Sequence, residues 1–172
     1  VNVCGFAGYS GSGKTTLVES LIGEFRLRGL SVSVIKHAHE GFDLDRPGKD
    51  SWRHREAGAY EVLLASRRRL ALLREWQLDD EPRVQDLIPE LGEVDWALVE
   101  GFKFASIPKL EVWRAATGRP VIYAEDPFVV AIVTDSPDAL PVPTARAILD
   151  LNRPAAVADY LLAQRQRFEF IA

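Results

Sequence analysis

Apolar and polar positions along the chain change period several times, and each change marks an element. Residues 1–7 form a mostly apolar run that ends in a glycine-rich stretch, the pattern of a strand buried on both faces. From Thr15 the period becomes helical, with Leu17, Leu21, Ile22 and Phe25 on one face. Arg26 and Arg28 lie near its end, and Gly29 follows where a left-handed cap is expected. Residues 31–35 alternate, and Val32, Val34 and Ile35 favour a second strand.

After an irregular charged stretch over 37–49, Asp50 is placed to cap a short helix over 51–57 that Gly58 ends. Residues 60–65 and 70–76 read as a hairpin with Ser66-Arg67-Arg68-Arg69 at its turn. Residues 82–91 predict a helix with Pro82 in its first turn. Strands follow over 96–99, 110–113 and 129–134, and 137–143 is a Pro-rich loop. Asn152 is placed to cap a final helix to about residue 166, with Pro154 in its first turn. Strand, helix and strand in repeated order predict an α/β fold, a mainly parallel sheet flanked by helices. The hairpin is an insertion expected to add an antiparallel edge.

Composition narrows the class. At 172 residues the chain fits a single domain spanning 1–172. A net charge of −4 argues against a general nucleic-acid binder, which presents a basic surplus. Arg67-Arg68-Arg69 fits a charged hairpin turn that resists aggregation better than it fits a nucleic-acid patch. One cysteine, Cys4, rules out a disulfide framework and suits a reducing compartment. No apolar stretch approaches membrane-spanning length and no signal-peptide pattern opens the chain. The expectation is a cytoplasmic protein with no membrane partner. The chain starts in its first strand without a methionine, so removal of a residue or two is expected.

The candidate chemistry begins at Gly8-Tyr9-Ser10-Gly11-Ser12-Gly13-Lys14-Thr15, between the first strand and the first helix. Backbone N–H groups in such a turn curl into an anion-binding nest, and the helix adds its positive end. Lys14 is the point charge for the β- and γ-phosphates, and the Thr15 hydroxyl is a magnesium ligand. The four fixed positions would arise by accident in roughly one chain in two hundred of this length. Together with the strand and helix on either side, that makes the loop a nucleoside-triphosphate site of the P-loop NTPase type.

Such a site needs an acid at the carboxyl end of a neighbouring strand. Asp95-Trp96-Ala97-Leu98-Val99-Glu100-Gly101 offers two, separated by about 16 Å in an extended strand. Ligands bind at the carboxyl ends of strands in open α/β sheets, so Glu100 is selected over Asp95. Lys36-His37-Ala38-His39 also falls at a carboxyl strand end. The charges that follow, from Asp43 and Asp45 to Arg53, suit a second phosphate-bearing ligand, the catalytic water or a solvated loop. The His37–His39 pair without further ligand spacing is a weak metal signal. Trp52, Trp76, Trp96 and Trp113 are core or interface residues.

The residues from Gly8 to Thr16, Lys36 to His39, Asp43 to Arg55 and Val99-Glu100-Gly101-Phe102-Lys103 together resemble the molybdopterin-guanine dinucleotide biosynthesis protein B family. The run Phe42-Asp43-Leu44-Asp45-Arg46-Pro47-Gly48-Lys49-Asp50-Ser51 carries the resemblance beyond a generic phosphate loop. The likeness extends to about Pro108 and then thins. It implies a homodimeric GTP-binding protein with weak GTPase activity that helps the transferase joining GMP to the pterin of the molybdenum cofactor. On that view Gly11, Gly13, Lys14, Thr15 and Thr16 hold GTP, and Ser12 in the loop, Lys36 at its strand end and Asp45 in the charged stretch are further candidates for binding it. Thr15 and Glu100 hold Mg2+, and Lys14 and Glu100 serve catalysis. There is no Asn-Lys-x-Asp guanine motif; Thr134-Asp135 sits at a suitable strand end for base choice.

Two other functions fit the same loop. A small-molecule kinase would use Asp43 or Asp45 as base toward an acceptor, although no arginine-rich lid follows. A non-catalytic adaptor would use nucleotide only to set a conformation.

Overall fold

The apolar run at the start of the chain becomes strand β1 (Asn2–Ala7), and its alternate residues feed different layers. Cys4 and Phe6 enter one core cluster, whereas Val3 and Ala7 enter two clusters on the opposite face. In β5 (Trp96–Glu100), Trp96 and Leu98 join the first cluster and Ala97 and Val99 join the cluster of Val3. Both strands are buried throughout, as in a parallel sheet covered on both faces. The computed structural model describes residues 1–38, 42–76 and 81–171.

The chain divides into two compact units, Val1–His37 with Pro82–Ala172, and Ala38–Glu81. The larger holds a six-stranded sheet in the order β2-β5-β1-β6-β7-β8. It is completed by β2 (Val32–Lys36), β6 (Lys109–Trp113), β7 (Val129–Thr134) and β8 (Ala147–Asp150). Every neighbouring pair in it is parallel. On one face, helix α1 (Lys14–Leu27) buries Leu17, Val18, Leu21 and Phe25, and the Phe25 ring stacks on Trp96 at 5.2 Å. The smaller unit carries helix α2 (Asp50–Glu56) and the antiparallel pair β3 (Glu61–Ala65) and β4 (Leu70–Arg74). In the larger unit, helix α3 (Val84–Leu87) covers the second face with Val84, and α4 (Pro154–Ala163) packs beside α1 through Val157, Ala158 and Leu161. No helix among the described residues is long and apolar enough to cross a membrane.

Several expectations are corrected. The hairpin forms its own two-stranded sheet, Glu61 opposite Arg74 through Ala65 opposite Leu70, and adds no edge to the six-stranded one. The strand expected over residues 110–113 lies inside the sheet, between β1 and β7. Lys109 and Glu111 disguise this strand as half-exposed, yet both are buried with partners. Lys109 Nζ donates to Asp126 Oδ2 at 2.8 Å, and Glu111 accepts the backbone N–H groups of Ile122 and Tyr123 at 2.8 and 2.7 Å. The predicted 82–91 helix is one turn followed by a 3-10 turn (Ile88–Glu90), because Pro89 has no amide to continue the ladder. Asp50 and Asn152 do not cap; Lys49 and Arg153 hold those positions, without side-chain bonds. Strand β8 was not anticipated, being four residues long and only half-buried.

Candidate functional site

From Ala7 the chain turns through residues 8–13 and enters α1 at Lys14. Gly8 lies flat against β6: a Cβ there would sit 2.4 Å from the Val112 carbonyl oxygen and 2.9 Å from Ser12 Oγ, so only glycine permits the approach. Ser12 N donates to the Tyr9 carbonyl at 3.2 Å and tightens the turn. The Ser12 hydroxyl is buried without a hydrogen-bond partner among the described residues, a polar group left available to a ligand.

Lys14 Nζ donates to the Tyr9 carbonyl at 2.8 Å. Burial holds its ammonium below the usual lysine range; Glu100 opposes that shift, and Lys103 and Lys36 add to it. Lys103 Nζ lies 3.9 Å above the Tyr9 ring, and the Arg119 guanidinium lies 5.8 Å from the same ring. Lys14, Lys36 and Lys103 set against the Glu100 carboxylate leave an excess of positive charge, which an oligophosphate would neutralise.

Glu100 ends β5 beside Phe6 of β1 and Lys36 of β2. Thr15 Oγ1 donates to Glu100 Oε1 at 2.5 Å, and Lys36 Nζ lies 3.5 Å from the same oxygen. At Gly101 (φ 92°) a Cβ would lie 2.7 Å from His37 Cβ, so this turn also demands glycine. Phe102 follows at φ 46°, a conformation costing of order 1–3 kcal/mol for a side chain of this kind, and its ring packs on His37 at 4.5 Å.

The donor set fits magnesium. A hydroxyl and a carboxylate are hard oxygens, the ligand type that magnesium takes, and Thr15 and Glu100 bring one of each together. Among the described residues no group of three or more His, Cys, Asp and Glu side chains could hold a metal. Such an ion would therefore complete its shell with phosphate and water, as magnesium commonly does.

The other sequence candidates fall as follows. Asp95 accepts from the Ser31 amide and hydroxyl at 2.8 Å each, and so joins the starts of β2 and β5. Gly11 and Thr16 are exposed on the loop and the first turn of α1. Asp45 belongs to the smaller unit, where it accepts from Ser51 at 2.8 Å and lies 3.5 Å from Arg55. Arg55 also pairs with Asp43 and Glu75, both at 3.0 Å, so this group braces its own unit. His39 lies outside the described residues. The sequence placed Tyr9 in the loop without giving its ring a role, and it missed Arg119, which lies in an exposed loop after β6 that no motif marks.

A strand, glycine loop and helix, with a hydroxyl–carboxylate contact between α1 and β5 on a parallel sheet, define an α/β fold of the P-loop NTPase type. Residues 3–135 match the family described as molybdopterin guanine dinucleotide synthesis protein B. The chain belongs to this MobB family. It is 40% identical over 164 residues to the molybdopterin-guanine dinucleotide biosynthesis adapter protein of Haemophilus influenzae, covering 94% of this chain and 88% of that protein. It is 39% identical over 165 residues to the Escherichia coli protein of the same description, covering 94% and 92%. The crystal structure of Bacillus subtilis MobB superposes with a TM-score of 0.71 at 25% identity, covering 96% of this chain and 98% of that one.

Proposed function

We propose that the protein is a Mg2+-dependent GTP-binding adapter with weak GTPase activity in molybdopterin guanine dinucleotide biosynthesis. It acts in the cytoplasm as a homodimer beside the molybdopterin guanylyltransferase. The Thr15–Glu100 contact carries this reading, because it puts a hydroxyl and a carboxylate beside the one lysine that a triphosphate requires. On binding, Lys14 leaves the Tyr9 carbonyl for the β- and γ-phosphates, and the loop amides and the Ser12 hydroxyl meet the remaining oxygens. Magnesium held by Thr15 and Glu100 would neutralise charge on the phosphates. Glu100 is engaged with Thr15 and Lys36, which suits holding a cation better than activating water and agrees with slow turnover. The adapter role is supported by the relatives' description.

The homodimer is supported by the hairpin. Leu63, Leu70 and Leu72 are 59%, 65% and 39% exposed on one face of a two-stranded sheet. A lone hairpin is marginal in water, and exposed apolar patches of this kind mark association surfaces.

Thermal shift tests the nucleotide. A ligand at a hundredfold excess over Kd stabilises the folded state by about 2.7 kcal/mol. That corresponds to roughly 5–10 °C in a domain of this size. Mg-GTP should give this shift and Mg-ATP a clearly smaller one. Equal shifts would remove guanine specificity, and a larger shift with ATP would favour a kinase.

A further inference from the structure

A cavity of about 320 Å³ opens at the carboxyl ends of β7 and β8, lined by Thr134, Asp135, Pro137, Ile148, Asp150 and Asn152 among others. Its size is at the small end for ligand pockets, about 300–1,000 Å³, and suits a single ring system. Its walls are pinned. Leu151 N donates to the Thr134 carbonyl at 3.0 Å, Ser136 N to Thr134 Oγ1 at 3.0 Å, and Asn152 N to Asp150 Oδ1 at 2.8 Å. Leu151 also reaches the phosphate loop, with its Cδ2 3.7 Å from where a Gly13 Cβ would lie.

Sheet order gives the direction of a bound nucleotide. Thr15 and Glu100 mark the metal-bearing end of the triphosphate, on the β5 side of β1. The nucleoside must then leave toward β6, β7 and β8, where this cavity lies.

We propose that the cavity is the base subsite and that the Asp135 carboxylate selects guanine. Its Oδ2 accepts from Arg114 Nε and its Oδ1 from Ser136 Oγ, both at 2.7 Å, and the side chain remains 20% exposed. Each oxygen keeps a second acceptor site, so the orienting partners leave a paired acceptor edge. Guanine offers two adjacent donors, N1–H and the 2-amino group, to such an edge. Adenine places the lone pair of N1 there and is repelled. The Ser136 hydroxyl, and behind it Arg114, hold this carboxyl below the usual carboxylate range, so the acceptor edge is ionised at neutral pH. Pro137 and Ile148 offer apolar surface for the flat faces of the ring.

The inference rests on the proposed triphosphate site, and the test separates the two. Affinities of GTP, inosine triphosphate and xanthosine triphosphate are measured by titration on the parent protein and on Asp135→Asn. Inosine lacks the 2-amino group and should bind the parent about ten- to a hundredfold more weakly than GTP, the loss of one hydrogen bond to a charged group. Xanthine has a carbonyl in place of that amino group, so the variant should lose GTP and gain xanthosine triphosphate, reversing the parent's preference. A variant that keeps the parent's ratio, or a parent that binds GTP and inosine triphosphate equally, would overturn the base subsite and leave the phosphate loop standing. Failure of the parent to bind any triphosphate would overturn the GTP reading and the subsite with it.

Discussion

The Thr15 hydroxyl meets the Glu100 carboxylate at 2.5 Å although the two residues are 85 positions apart. Parallel pairing of β1 with β5 sets Phe6 opposite Glu100, so both strands end at the same crest. One helical step beyond Lys14, Thr15 turns back toward that crest.

Replacing Glu100 by glutamine keeps the shape and removes the charge that attracts a cation. GTP binding should survive, while the Mg2+ concentration for half-maximal binding rises about tenfold or more. Superimposable magnesium titrations of variant and parent would assign the ion to another acid.

Lys14→Ala should weaken triphosphate affinity at least about a hundredfold, the loss of two charge-assisted hydrogen bonds. The fold should hold, with a change in melting temperature under about 4 °C, because Lys14 donates one bond to a loop carbonyl and packs no core. Near-parental affinity for a fluorescent nucleotide would refute the phosphate site.

The pH dependence of binding follows from the same lysine. Binding draws on the charged ammonium, whose pKa in the free protein lies below the ordinary 10.5 because of burial. Phosphate restores the charge, so the complex holds more protons than the free protein through that lowered pKa. Affinity should therefore decline with rising pH before 10.5 is reached, and binding should take up protons in that window. Calorimetry in two buffers of different ionisation enthalpy would show it; an affinity flat up to pH 10.5 would contradict it.

Lys109→Met leaves Asp126 without its partner beneath the sheet. Removing one member of a buried pair costs about 3–5 kcal/mol, which should lower the melting temperature by roughly 6–20 °C. A change within a degree or two would mean that the pair is dispensable to the fold.

Breaking the hairpin's apolar face tests self-association. The parent should show a dimeric mass by light scattering at tens of micromolar with nucleotide present, and Leu63→Glu with Leu72→Glu should show a monomeric one. A monomeric parent would contradict the homodimer.

The sequence by itself determined what lies within one local unit. The period of residues 1–7, the glycine loop and the amphipathic helix mark the candidate phosphate loop, because strand, turn and helix are consecutive and each has its own short-range signature. It also chose Glu100 over Asp95, since a strand's length and direction alone decide which end faces the loop. Tertiary structure alone decided the interior place of β6, where the charges of Lys109 and Glu111 hide a buried strand until their partners at Asp126 and Ile122 are brought in. The separate hairpin sheet, the position of Arg119 over Tyr9 and the cavity at Asp135 also wait on the fold. Parallel strands exchange hydrogen bonds only with segments far away in the chain, so who neighbours whom on the crest is written in no local pattern.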